Sequence, residues 1–307
     1  MSITREIARL KREKNAVILA HNYQPPEIQD TADILGDSLG LSVSASETDA
    51  DIIVFCGVLF MAETAKIVSP EKKVLIPEPD AGCPMADMAD PEKLSEVKRR
   101  HTEAKTMCYV NSSAEIKAES DICCTSANAL QIAEGYFPAD QEVIFLPDYN
   151  LAENTAKRAN RDFIKWEGFC PTHENLSIKS VDKAREMHPE AEVLVHPETP
   201  PDIAEAADKV LSTGGMIEYA RGSQVKEFVI GTERDMVYRL KREIPEKEFF
   251  PLYDSMTCID MKKNTLEKVY ASLKEEKTEV EIDEGIRRGA ERSIRRMMDF
   301  KGEVNNR

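Results

Sequence analysis

Three cysteines share one interval. Cys83, Cys170 and Cys258 stand 87 and 88 residues apart (170 − 83 = 87; 258 − 170 = 88). They lie in loop-like composition, beside Gly82, Pro84, Pro171 and Thr257. Cysteine is ordinarily a small buried hydrophobe. That role suits Cys56 and Cys108, which sit in apolar runs, and it is extended to Cys123 and Cys124. It does not suit three loop cysteines at a repeating interval. Three thiolates brought to one point need a cation, so the spacing predicts a metal or an iron–sulfur cluster. Zinc would ask for a fourth protein ligand, and His173, three residues after Cys170, could supply it. The two-residue spacing of zinc-knuckle pairs is absent. A 4Fe-4S cluster usually takes four cysteines. Three would leave one iron open as a Lewis acid.

A polar set keeps the same interval. His21, Tyr109 and His196 form one column, and Tyr23, Asn111 and Glu198 the next. Ser38, Ser126 and Thr213 form a third, at offsets of 88 and 87 (126 − 38; 213 − 126). Glu27, Glu115 and Asp202, then Asp33, Asp121 and Asp208, repeat likewise without a gap. A repeated segment of this length marks a repeated structural unit.

The elements that must position these residues follow from the flanks. An apolar run precedes each polar segment ("AVILA", "TMCYV", "EVLV"), and another follows it ("DIIVFCG", "EVIFLPD", "EFVIGTE"). A third leads into each repeating cysteine ("KKVLIPEPDAGC", "DFIKWEGFC", "EFFPLYDSMTC"). Continuous apolar runs between helical patterns predict buried parallel strands with helices on both faces. The fold class is therefore α/β: three pseudo-threefold-related αβα domains of three layers, each with a small parallel sheet, around a central cavity. The expected units are 1–86, 87–172 and 173–282, with a C-terminal helix over 283–307 packing on the first. In such units ligands bind beyond the carboxyl ends of the strands. The first two polar columns fall there. Ser38, Ser126 and Thr213 are expected to be helix N-caps, where a hydroxyl and free N–H groups can hold an anion.

The chain has 307 residues and a net charge of −15, with 41% hydrophobic and 32% charged residues. That charge argues against a nucleic-acid partner, which needs a basic face. No run reaches membrane-span length, and the charged start "MSITREIARLKREKNAVILA" lacks a signal-type apolar core. The expectation is a cytoplasmic protein with reduced cysteines and no membrane partner.

The segments "LAHNYQPPEIQDTADILGDSL", "YVNSSAEIKAESDICCTSANA", "CPTHENLS", "VHPETPPDIAEAADKVLSTGGM" and "CIDMKKNTLEKV" resemble the quinolinate synthase family in its short, three-domain form. The resemblance spans nearly the whole chain. It implies an iron–sulfur transferase of NAD (pyridine nucleotide) biosynthesis. Such an enzyme condenses iminoaspartate (iminosuccinate) with dihydroxyacetone phosphate to quinolinate, releasing phosphate and water. It implies one 4Fe-4S cluster on Cys83, Cys170 and Cys258. It implies substrate contacts at His21, Ser38, Tyr109, Asn111, Ser126, His196, Glu198 and Thr213, with Tyr23 and His173 at further site positions. General acid–base work is assigned to Glu198 and Tyr23, with His21 or His196 as partner. Leu59 and Thr199 depart from the family pattern. An aspartate oxidase or dehydrogenase is the expected source of the imine. Two rival readings are an S-adenosylmethionine-cleaving enzyme of the diphthamide type and a non-catalytic iron–sulfur redox sensor.

Overall fold

Helix and strand alternate in one order three times over in the computed structural model, which describes residues 2–301. The first unit runs α1 (Ile3–Glu13), β1 (Ala16–His21), α2 (Pro26–Gln29), β2 (Ile34–Gly36), α3 (Ser38–Glu47), β3 (Ile52–Cys56), α4 (Leu59–Val68), β4 (Lys73–Leu75) and α5 (Pro84–Asp87). The second runs α6 (Pro91–Arg100), β5 (Lys105–Tyr109), α7 (Ala114–Ala118), β6 (Ile122–Cys124), α8 (Ala129–Gly135), β7 (Val143–Leu146), α9 (Tyr149–Ala159), β8 (Ile164–Lys165) and α10 (Pro171–Glu174). The third runs α11 (Ile178–Met187), β9 (Glu192–Val195), α12 (Pro201–Ala206), β10 (Lys209–Val210), α13 (Thr213–Gly222), β11 (Glu227–Gly231), α14 (Met236–Glu243) and β12 (Glu248–Pro251). A 3₁₀ turn (Met261–Lys263), α15 (Leu266–Glu275) and α16 (Glu284–Asp299) follow.

Each unit holds one four-stranded parallel sheet in the order second, first, third, fourth: β2-β1-β3-β4, β6-β5-β7-β8 and β10-β9-β11-β12. The expected three αβα units are present. The central strands read as apolar runs because both faces are covered; every residue of β3 and of β7 is buried. Alternate residues serve different cores. Ile18 and Val54 pack with α1 and α15 on the outer side of the first sheet, while Leu19 and Ile53 face the large central core. The repeated aspartates explain themselves here. Asp33, Asp121 and Asp208 each accept the backbone N–H of the first strand, from Ile18, Thr106 and Val193 at 2.8, 2.8 and 2.7 Å. The carboxylate extends the ladder where the second strand has not yet begun.

The units close into a ring. In each, the helix after the third strand packs on the helix after the first strand of the next unit: α4 on α7, α9 on α12, α14 on α2. The carboxyl ends of all three sheets therefore meet.

The C-terminal helix departs from expectation. Its main partners are α7 and β6 of the second unit, and it reaches α4 of the first. Small residues set this choice: a side chain at Gly289 would meet Ala118 Cβ at 2.8 Å, and Ser293 Oγ donates to the Lys117 carbonyl at 2.7 Å. The part of the expected helix at 302–307 lies outside the described residues. No described helix is long and apolar enough to cross a membrane.

Candidate active site

The first strand of each sheet ends at a polar residue or just before one (His21, Tyr109, His196), and the chain then turns sharply. At His21 and His196 the turn is built alike. Each Nδ1 accepts the backbone N–H two residues on, from Tyr23 at 3.2 Å and Glu198 at 3.3 Å. That contact places the ring hydrogen of the neutral imidazole on Nε2. The His196 Nε2 lies 3.1 Å from Ser126 Oγ of the second unit.

Ser38 and Thr213 stand one residue inside their helices, not at the caps. Asp37 caps α3 by accepting from Gly40, and Ser212 caps α13 by accepting from Gly215. Ser126 precedes α8, whose N-cap position is Asn128. The shift frees the three hydroxyls from the capping role. Thr213 Oγ1 instead accepts from Asn22 of the first unit at 3.0 Å.

The thirteen candidate residues all line one cavity of about 360 Å³. They arrive from all three units. Among the described lining residues none is Lys or Arg. The cavity offers an anion hydroxyls, imidazoles and an amide, and Asp37, Glu198, Glu233 and Asp260 also line it. Val58, Phe60 and Met61 add an apolar wall.

Glu198 is the electrostatic centre. It is 4% exposed. Tyr109 Oη donates to Oε1 at 2.7 Å, Asn111 Nδ2 to the same oxygen at 3.2 Å, and His173 Nδ1 lies 2.9 Å from Oε2. Burial alone would raise this carboxyl. The His196 and His173 imidazoles and the Tyr109 hydroxyl outweigh it and hold the group well below the usual carboxylate range. Glu198 is therefore ionised and can only accept. Tyr23 and Tyr109 go the other way. Burial first, and the Glu198 charge second, push both phenols well above their ordinary value. Tyr23 is a neutral phenol, its Oη 2.5 Å from Thr232 Oγ1.

Burial drives His21 down to about 3 and His196 to about 4, with His196 adding to the effect on His21. An unfolded histidine takes its proton near pH 6.5, the buried one far lower. Stability is therefore complete above pH 6.5 and falls as pH drops from there toward 4, by on the order of 2 kcal/mol per histidine at pH 5. The melting temperature is expected to fall between pH 7.5 and pH 5, and less so in a His21→Asn/His196→Asn variant. Equal slopes in the two proteins would contradict this.

The three repeating cysteines are placed alike. Cys83 and Cys170 each occupy the N-cap position of a four-residue helix that opens with proline, and Cys258 precedes the 3₁₀ turn. Burial raises all three thiols, and the Cys83 and Cys258 thiols add to the effect at Cys170. Such thiols become thiolates when a cation meets them. The three sulfurs are not all within 4.8 Å of one another, whereas the ligand atoms of Cys170, His173 and Glu198 are. One zinc–thiolate ion would hold sulfurs about 3.8 Å apart, from bonds of about 2.3 Å. The cysteine set is more open than that. Cys56, Cys108, Cys123 and Cys124 are buried in or at the ends of strands, away from this wall.

Residues 5–299 match the family model described as quinolinate synthetase A protein. This chain belongs to that family. It is 52% identical to the quinolinate synthase of Alkaliphilus metalliredigens over 297 residues, 96% of this chain and 97% of the relative. The quinolinate synthase of Caldicellulosiruptor saccharolyticus is 50% identical over 97% of this chain and 98% of its own. That of Dehalococcoides mccartyi strain CBDB1 is 49% identical over 96% and 97%.

Several residues that shape the site escape the repeat arithmetic. Asn150 and Asn154 of α9 donate to the carbonyls of Pro197, Glu198 and Thr199, fixing the Glu198 turn from the neighbouring unit. Lys262 pairs with Glu233 at 2.8 Å and with Asp235 at 2.7 Å, and donates to the Tyr23 carbonyl. Asn150, Asn154 and Lys262 have no counterpart of their own type at the 87–88 interval, so the signal that found the others was missing.

Proposed function

We propose that this chain makes quinolinate from iminoaspartate and dihydroxyacetone phosphate, losing phosphate and two waters. What supports the reading is one cavity that gathers three thiols and ten polar side chains from three units, in a chain of this family. Cys83, Cys170 and Cys258 would hold a 4Fe-4S cluster, which supplies an open iron, a Lewis acid toward a substrate oxygen or nitrogen.

The chain's own residues do the rest. Ser126 with His196, and Thr213 with Asn22, offer hydroxyls to the carboxylates and phosphate. Ser38 adds a hydroxyl at the first turn of α3, where free N–H groups favour an anion. Glu198, held ionised by three donors, accepts a proton during enolisation. Tyr109, neutral and already donating to Glu198, fixes that carboxylate's direction. The apolar wall of Val58, Phe60 and Met61 limits water around a hydrolysable imine. An oxidation of aspartate, by an oxidase or dehydrogenase, must supply that imine.

Ser38→Ala and Ser126→Ala test this reading against a non-catalytic cluster carrier. Hydrogen bonds to charged groups contribute about 1.5–3 kcal/mol. Each variant is expected to lose roughly 10–100-fold in kcat/KM for quinolinate formation with iron content unchanged. Unchanged turnover in both would favour the carrier.

A further inference from the structure

Behind the cavity, a column of backbone carbonyls keeps the repeat interval. Gln24, Ser112 and Thr199 (112 − 24 = 88; 199 − 112 = 87) directly follow Tyr23, Asn111 and Glu198, the second polar column. One buried side-chain donor holds each of these carbonyls: Gln29 Nε2 at 2.8 Å, Lys117 Nζ at 2.7 Å and Asn154 Nδ2 at 2.9 Å. Gln29 and Lys117 share a column (117 − 29 = 88), and both are fully buried. Both also cross a joint of the ring. Gln29 reaches the Asp235 carbonyl just before α14, and Lys117 reaches the Phe60 carbonyl in the first turn of α4, each at 3.2 Å. The third joint is tied from the other side: Ala204 stands in the column, and Asn154 of α9 supplies the donor.

The joint between the first and second units is the one that uses a lysine. Burial lowers the pKa of this amine, and the nearby Glu63 carboxylate opposes that effect. A buried amine must be paired to be tolerated. Lys117 pairs with the Ser112 carbonyl of its own unit and the Phe60 carbonyl of the first, and its nitrogen lies 5.3 Å from the Phe60 ring centroid. Phe60 and Asn111 both line the cavity, and Lys117 does not. Asn111 Nδ2 donates to Glu198 Oε1 of the third unit at 3.2 Å. Contacts thus run from the first unit, through Lys117 and the Asn111–Ser112 turn, to the carboxylate.

We propose that Lys117 is a positioning residue for the reaction: it pins the Asn111–Ser112 turn to the first unit and so aims Asn111 at Glu198. The inference rests on the quinolinate reading for its assay. Without the lysine donor, two buried carbonyls lose a partner. The turn is then free to relax away from the first unit. The Asn111 contact lengthens, and Glu198 loses one of the three groups that hold it.

The experiment is a double-mutant cycle between Lys117 and Asn111 in cluster-loaded enzyme. Lys117→Met removes the donor, and Lys117→Gln supplies the side chain that does the same work at position 29. Lys117→Met is expected to lower kcat roughly 10–30-fold with KM within about 3-fold and iron content unchanged. Lys117→Gln is expected to restore kcat to within about 3-fold of the parent. In an Asn111→Ala background, Lys117→Met is expected to cost no more than about 2-fold further. A lysine that only holds the fold gives factors that multiply. Such multiplication overturns the proposal, as does a Met variant at parental kcat or a Gln variant as slow as Met. If Lys117→Met does not fold because Glu63 is left without its countercharge, Lys117→Met/Glu63→Gln removes both charges and is read by the same criteria. A parent that makes no quinolinate removes the quinolinate reading instead. ¹⁵N NMR of the Asn111 side-chain amide then decides on the contact itself. A resonance displaced in Lys117→Met supports the coupling, and an unmoved one overturns it.

Discussion

Cys170→Ser protein, purified without oxygen, is expected to lose its iron and acid-labile sulfide, about four of each per chain in the parent, and all quinolinate formation with them. The thiol stands at the start of α10, 3.1 Å from His173 Nδ1, with Cys83 and Cys258 close enough to raise it. A serine hydroxyl is a harder and far weaker acid, a poor ligand where a soft thiolate is needed. Fold loss is not the expected cause, because the cysteine sits on the cavity wall and not in a strand. Cys123→Ala is the control. That thiol lies in β6 and donates to Ser293 Oγ at 3.3 Å, under α16. Its loss is expected to cost stability and leave the iron in place. Iron retained in Cys170→Ser, or lost in Cys123→Ala, would mean that other cysteines hold the cluster.

Glu198→Gln is expected to lower kcat by about 10²–10⁴-fold at unchanged iron content. The substitution removes the negative charge and introduces a clash of donors. Tyr109 and His173 approach opposite oxygens of the carboxylate. A glutamine must turn its NH₂ toward one of them, leaving that donor without an acceptor in a buried place. The loss therefore falls on kcat through both the missing proton acceptor and the disturbed Tyr109 or His173. Turnover within a few-fold of the parent would exclude Glu198 as a proton carrier.

Much of the molecule is legible in its sequence because the units repeat. Four-strand sheets, helical covers and the convergence of Cys83, Cys170 and Cys258 follow from one interval, and the column Asp33, Asp121 and Asp208 proves to be a ladder extension at Ile18, Thr106 and Val193. What breaks the symmetry is harder to read. α16 has no counterpart in the repeat, and its position is set by close approach at Gly289 and Ala118, a fit that an apolar stripe alone does not specify. The three hydroxyls resemble caps because serine and threonine usually are caps. Asp37 and Ser212, one position earlier, do that work. Tyr23 is expected from its type and column to serve as a base, and burial beside Glu198 keeps its proton on. Thr232 sits inside the strand run "EFVIGTE" but matches only glycine and proline in the other units.

The measurement that bears most directly on the quinolinate assignment is product formation by anaerobically purified, iron-loaded protein given iminoaspartate and dihydroxyacetone phosphate, beside a parallel sample given S-adenosylmethionine. The expected result is quinolinate with one phosphate released per product, and intact S-adenosylmethionine. A fully iron-loaded protein that releases no quinolinate, or one that cleaves S-adenosylmethionine, would contradict the assignment.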